Sequence, residues 1–80
     1  MPRIRYWAAA RDRAGTTEEQ VAAGRLSEVL AAVGAAHAMT DLLERCVLLV
    51  DGEQVRRDDD PELVDSSVLE VLPPYAGGAA

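Results

Sequence analysis

Lysine is missing from this 80-residue chain, which sets eight arginines against fourteen acids for a formal charge of -6. A nucleic-acid backbone requires a concentrated positive field, and this balance opposes one. A protein partner with a basic docking face suits it better. There is a single cysteine, Cys46, so no internal disulfide can form and nothing points to an oxidising compartment. There is a single histidine, His37, with no second imidazole or nearby thiol at metal-ligand spacing, so no metal site is expected. Ser27, Ser66 and Ser67 have only that one imidazole to share, and nothing in the sequence sets it beside them for nucleophilic catalysis. A phosphate-binding glycine loop is also lacking, so the chain itself offers no such nucleotide site. No signal-peptide core follows Met1-Pro2-Arg3, and no apolar run nears the roughly 20 residues that span a bilayer. The expectation is a soluble, cytoplasmic protein. A chain this short buries only about 60% of the surface its unfolded form exposes, which suits one thin-cored domain and opposes self-contained multistep catalysis.

What is present is patterned. Arg3 to Ala9 alternates, with Arg3 and Arg5 on one face and Ile4 and Tyr6 on the other, the period of a half-buried strand. Ala10 to Gly15 reads as a turn, and Thr16 to Ala22 as a second strand completing a hairpin. Leu26, Val29, Leu30 and Val33 form one helical stripe with Glu28 pointing away, bracketed by Gly24 and Gly34. A helical turn is expected at Asp41 to Glu44. Cys46 to Val50 reads as a buried strand ending in the tight turn Asp51-Gly52, and Asp58 to Pro61 as a break. Val68 to Leu72 is the last strand. Residues 1–72 then make one α+β domain, and 73–80, Pro73-Pro74-Tyr75-Ala76-Gly77-Gly78-Ala79-Ala80, a flexible tail.

That ending, together with Leu69-Glu70-Val71-Leu72 before it, resembles the ending of the MoaD/ThiS-type sulfur carriers, and among them the small, sulfur-carrier subunits of molybdopterin synthases. Arg3-Ile4-Arg5-Tyr6-Trp7-Ala8-Ala9-Ala10-Arg11 is similar to their opening, and Leu43-Glu44-Arg45-Cys46 running into Val50-Asp51-Gly52 to their middle. The resemblance implies a ubiquitin-like β-grasp fold, a mixed four- to five-stranded sheet packed on one main helix. It implies a carrier and co-substrate rather than an enzyme alone, holding sulfur as a thiocarboxylate on Gly78 beside Gly77. It implies two partners: an E1-like adenylyltransferase and sulfurtransferase that spends ATP, and the larger catalytic subunit of molybdopterin synthase. No cofactor, metal, nucleic acid or membrane is expected on the carrier itself.

The chemistry of such an end can be argued separately. A terminal carboxylate is ionised at neutral pH, its pKa being about 3.3 to 3.7, and is unreactive until converted to an acyl-adenylate that a persulfide can attack. Glycine suits a narrow channel because it has no Cβ. Here Ala79 and Ala80 follow Gly78, so a peptidase that removes them is expected if Gly78 is to be charged. Trp7 shares parity with Arg3 and Arg5, and Leu72 with Glu70, so both are large apolar groups on polar faces: docking anchors, or rim packing at the sheet edge. The resemblance favours docking, with a third position near Gln54, where this chain is polar. Pro73 and Pro74 stiffen the exit. Tyr75 and Ala76 are the tail residues expected to enter the partner's channel. Cys46 is expected in the core, His37 in a solvated loop. Asp58, Asp59, Asp60, Glu62 and Asp65 lack calcium-loop spacing and read as a solvated loop, or as steering charge for a basic partner. Other destinations for the sulfur (thiazole, cysteine or secondary metabolites), a ubiquitin-like modifier and a plain interaction module stay open.

Overall fold

Alternation does set the first strand, but for a shorter run than expected. In a computed structural model describing residues 1–74, β1 spans Arg3–Tyr6, with Arg3 and Arg5 exposed and Ile4 and Tyr6 buried. The expected continuation to Ala9 and the turn over 10–15 are replaced by helix α1, Ala8–Ala14. Four alanines and two arginines in seven residues carry high helix propensity, which outweighs the turn-like look of the charges. Gly15 closes the helix at φ 75°, its N–H donating to Arg11 O at 2.9 Å. Strand β2 is Glu18–Gln20, shorter than the expected 16–22. It pairs antiparallel with β1, Arg5 opposite Glu18, so the pairing is that of a hairpin although a helix fills the connection.

Strand β3, Gly24–Arg25, leads into α2, Leu26–His37. Leu26, Val29 and Val33 of the expected stripe are buried and Leu30 packs against the same core. The helix runs through Gly34 rather than ending there. A Cβ on Gly34 would lie 2.5 Å from Thr40 Oγ1, so this glycine allows close approach of the chain entering α3, Thr40–Leu43. Ala38, at φ 52°, takes the capping conformation instead. At the other end Asp60 accepts from Ser27 N at 2.8 Å and Ser27 Oγ at 3.1 Å, satisfying a first-turn donor of α2 from far along the chain.

Strands β4, Val47–Val50, and β5, Glu53–Val55, form a hairpin across Asp51 and Gly52, both at positive φ as a two-residue hairpin turn demands. A 3₁₀ turn, Arg57–Asp59, occupies the expected break, β6, Glu62–Leu63, pairs with β3, and β7, Val68–Leu72, is the last strand as expected. The main sheet has the order β2-β1-β7-β4-β5, with β1 and β7 parallel and the other pairs antiparallel. This is the mixed sheet on one main helix of a ubiquitin-like β-grasp fold. Its inner face supplies Ile4, Tyr6, Leu48, Leu69 and Val71, all at most 2% exposed, to one cluster with the α2 stripe. Each such side chain contributes about 1.5–3 kcal/mol on burial. Among the described residues no helix is long and apolar enough to cross a membrane.

Candidate functional site

Among the described residues, no helix lies over the opposite face of the sheet. Strand parity projects Arg3 and Arg5 from β1, Glu70 and Leu72 from β7, and Val47 and Leu49 from β4. In register, Leu72 stands opposite Val47, and Leu49 lies between Glu70 and Gln54. The face divides in two. Toward β2 it is charged, with Arg5 Nε 3.3 Å and Arg3 Nη1 3.5 Å from the carboxylate of Glu18. Toward β4 it is apolar: Val47 is 41% exposed, and Leu49 and Leu72 are half-buried.

Trp7 sits at the head of this face, just beyond β1 and just before α1, and is 45% exposed. Its backbone N–H donates to Val71 O at 3.2 Å, and its indole Nε1–H donates to Glu70 Oε1 at 3.1 Å. Both bonds go to β7, so the ring lies over the open face beside the strand that ends at Leu72. Pro73 and Pro74 follow, half-buried, and offer no N–H to extend the ladder. Of the expected site residues, Trp7, Leu72, Pro73 and Pro74 are therefore gathered at one end of one face. Tyr75, Ala76, Gly77 and Gly78 lie outside the described residues, as do Ala79 and Ala80.

Val47 and Leu49 were not singled out from the sequence, where the run from Cys46 read as a wholly buried strand. Alternation within the run was the available signal, since Leu48 is 2% exposed and its two neighbours face the other way. Cys46 is in the core as expected, 8% exposed, its Sγ donating to Leu42 O at 3.2 Å. Burial raises its pKa against the opposing charges of Arg57 and Arg45, which keeps the thiol neutral and unreactive. His37 is not in a solvated loop. It ends α2, its ring edge against Tyr6 and its Nε2 2.7 Å from Glu19 Oε2, which also accepts from Tyr6 Oη at 2.5 Å. Burial, then the hydrogen bond and charge of Glu19, push the Tyr6 pKa up, so the phenol stays a donor. This trio ties β1, β2 and α2 together on the far side from Trp7's ring. Part of the acidic cluster is structural too, since Asp60 is occupied at the start of α2 while Asp58 and Asp59 are exposed. Among the described residues no three His, Cys, Asp or Glu side chains are grouped to hold a metal. An apolar recess of about 250 Å³ lies elsewhere, between α2 and α3 around Leu26, Leu30 and Leu43.

A β-grasp sheet with one helix-packed face, one open face and its central strand leading to the C-terminal segment defines the ubiquitin-like β-grasp class. Within that class the chain belongs to the ThiS family, whose model matches residues 4–78. It is 31% identical over 80 residues to a molybdopterin synthase sulfur carrier subunit from Chlamydomonas reinhardtii, covering 95% of this chain and 96% of that one. Among solved structures it is similar to the small archaeal modifier protein 1 of Methanosarcina acetivorans, with TM-score 0.81, 22% identity, and 96% and 95% of the two chains covered. It is also similar to a Pyrococcus furiosus protein assigned as subunit 1 of a molybdopterin converting factor, with TM-score 0.74, 26% identity, and 91% and 95% covered. Membership makes the chain a sulfur carrier of the MoaD/ThiS type, a co-substrate of other proteins' reactions rather than a free-standing enzyme.

Proposed function

We propose that the carrier works in molybdopterin synthesis, loaded on Gly78 and recognised through the open face headed by Trp7 and Leu72. The observation that carries this reading is the shared face of Trp7, Leu72, Val47 and Leu49 at the root of a segment containing Pro73, Pro74 and Gly77-Gly78. The 31% identity to a molybdopterin synthase subunit along almost the whole chain supports its destination. Because Ala79 follows Gly78, hydrolysis after Gly78 by a peptidase comes first. An E1-like partner then joins the Gly78 carboxylate to AMP, releasing pyrophosphate from ATP. A persulfide displaces AMP to give an acyl disulfide, and a thiol cleaves its S–S bond, leaving the thiocarboxylate on Gly78 and a disulfide between donor and thiol. In complex with the larger catalytic subunit of molybdopterin synthase, the thiocarboxylate sulfur bonds to the pterin precursor, and water then cleaves the acyl–sulfur bond, leaving the sulfur on the pterin and returning the Gly78 carboxylate.

A second reading, a protein modifier joined through Gly78 to lysines of targets, is supported by the fold shared with the archaeal modifier at TM-score 0.81. Both readings use the same adenylate and differ in the nucleophile that takes the acyl group. Mass spectrometry of the protein and its conjugates from its own cells separates them. A thiocarboxylate on Gly78 that disappears on addition of the pterin precursor and large subunit supports the first reading. Gly-Gly remnants on target lysines without that species support the second.

A further inference from the structure

Trp7 is held more firmly than an exposed ring needs to be. Its N–H and its indole Nε1–H are both bonded to β7, at Val71 O and Glu70 Oε1. The next residue, Ala8, adopts φ 51°, a left-handed conformation that L residues other than glycine and asparagine rarely take. Such strain persists only where the surroundings over-determine it. Glu70 has other options across the ladder. It is in register with Arg5, yet Arg5 Nε is paired with Glu18, which also takes Arg3, so the charged half of the face is satisfied without Glu70. The Glu70 carboxylate is thus left to the indole. Glu70 stands two residues before Leu72 and is flanked by Leu49, at the boundary between the charged and apolar halves of the face.

We infer that Glu70 is a positioning residue: it holds the Trp7 ring in one orientation over the open face, so that the docking partner meets a fixed anchor beside the root of the C-terminal segment. This rests on the docking reading given above. A tryptophan that is free to rotate loses conformational freedom on association, and fixing it beforehand removes that cost and gives the partner one shape to match. The hydrogen bond needs an acceptor at Glu70, not a charge. Glu70→Gln retains one and Glu70→Leu does not.

Trp7 is the only tryptophan in the chain, so its fluorescence reports the ring directly and without a partner. Time-resolved anisotropy of Glu70→Leu should show a larger fast, sub-nanosecond component than the parent protein, and Glu70→Gln should restore most of the difference. Circular dichroism and denaturant midpoints check that both variants stay folded. In pyrophosphate exchange with the cognate adenylating enzyme, Glu70→Leu should raise KM for the carrier about fivefold with kcat unchanged. In a Trp7→Phe background, which has no indole donor, the same substitution should do nothing further. An unchanged anisotropy decay in a folded Glu70→Leu protein overturns the inference, as does an equal KM increase in the Trp7→Phe background. Failure of the docking reading has a different signature: Trp7→Ala would itself leave KM unaltered, whatever the anisotropy shows.

Discussion

The two faces of the five-stranded sheet are built from the same strands to opposite ends. The helix-side face closes Ile4, Leu69 and Val71 to zero exposure, whereas the open face leaves Trp7 and Val47 more than 40% accessible. Alternation makes this possible in so short a chain, because each strand residue added to the core delivers a neighbour to the other side. Core packing and the open face thereby draw on alternate residues of one strand, and β7 shows it most plainly: Leu69 and Val71 are fully buried, while Glu70 and Leu72 face outward beside Trp7.

Substitutions on the two faces should separate these roles. The largest effect belongs to the inner face, where Leu69→Ala removes a fully buried side chain from the central strand and should cost about 2–5 kcal/mol, read from the urea midpoint. For a domain of this size that is a large fraction of total stability. The open face should behave in reverse. Trp7→Ala should lower affinity for the adenylating partner roughly 30-fold, about 2 kcal/mol, by titration calorimetry, while shifting the urea midpoint far less than Leu69→Ala does. A comparable loss of stability in both variants would mean that Trp7 packs the sheet rather than serving an interface.

A smaller effect is expected from pH at the trio of Tyr6, Glu19 and His37. Burial pushes the Glu19 pKa up, but the hydrogen bonds from Tyr6 and His37 and the charge of His37 outweigh it, so the net shift is downward. A carboxyl lowered in the folded state binds its proton more readily when unfolded. It contributes stability that is complete above the ordinary glutamate range, about pH 4.3, and is lost as pH falls through its folded value. Denaturant midpoints measured on descending pH should fall in that range, and Glu19→Gln should flatten the fall. The smallest effect belongs to the charged half of the open face. Glu18→Gln breaks two exposed ion pairs and should cost no more than about 1 kcal/mol, less at high salt.

The sequence was most readable where one pattern ran unopposed. The Arg3–Tyr6 alternation, the α2 stripe, the Asp51-Gly52 turn and the last strand each follow from side-chain period or turn chemistry. Trp7 lies on the face that parity assigned to it even though it is beyond β1, because its indole is drawn to Glu70 on the same face. Helix α1 was lost because charged residues before a glycine suggest a turn, while the propensity of four alanines was the stronger influence. Strands β5 and β6 carry three and two residues, too few for a period to show, and exist through their ladder partners. Gly34 looked like a helix end because its real cause, the approach of Thr40, is a tertiary contact. Val47 and Leu49 escaped notice because an apolar run does not say which of its sides is covered.

On the proposed function, the open face delivers Gly78 to a partner that activates it. Intact-mass and fragment analysis of two forms, one ending at Gly78 and one retaining Ala79-Ala80, after incubation with the adenylating enzyme, ATP, a persulfide donor and a thiol, tests it directly. Replacement of one oxygen by sulfur at Gly78 in the shortened form alone is the predicted result. Sulfur on the form retaining Ala79-Ala80, or none on the shortened form while the enzyme loads its other carriers, would contradict it.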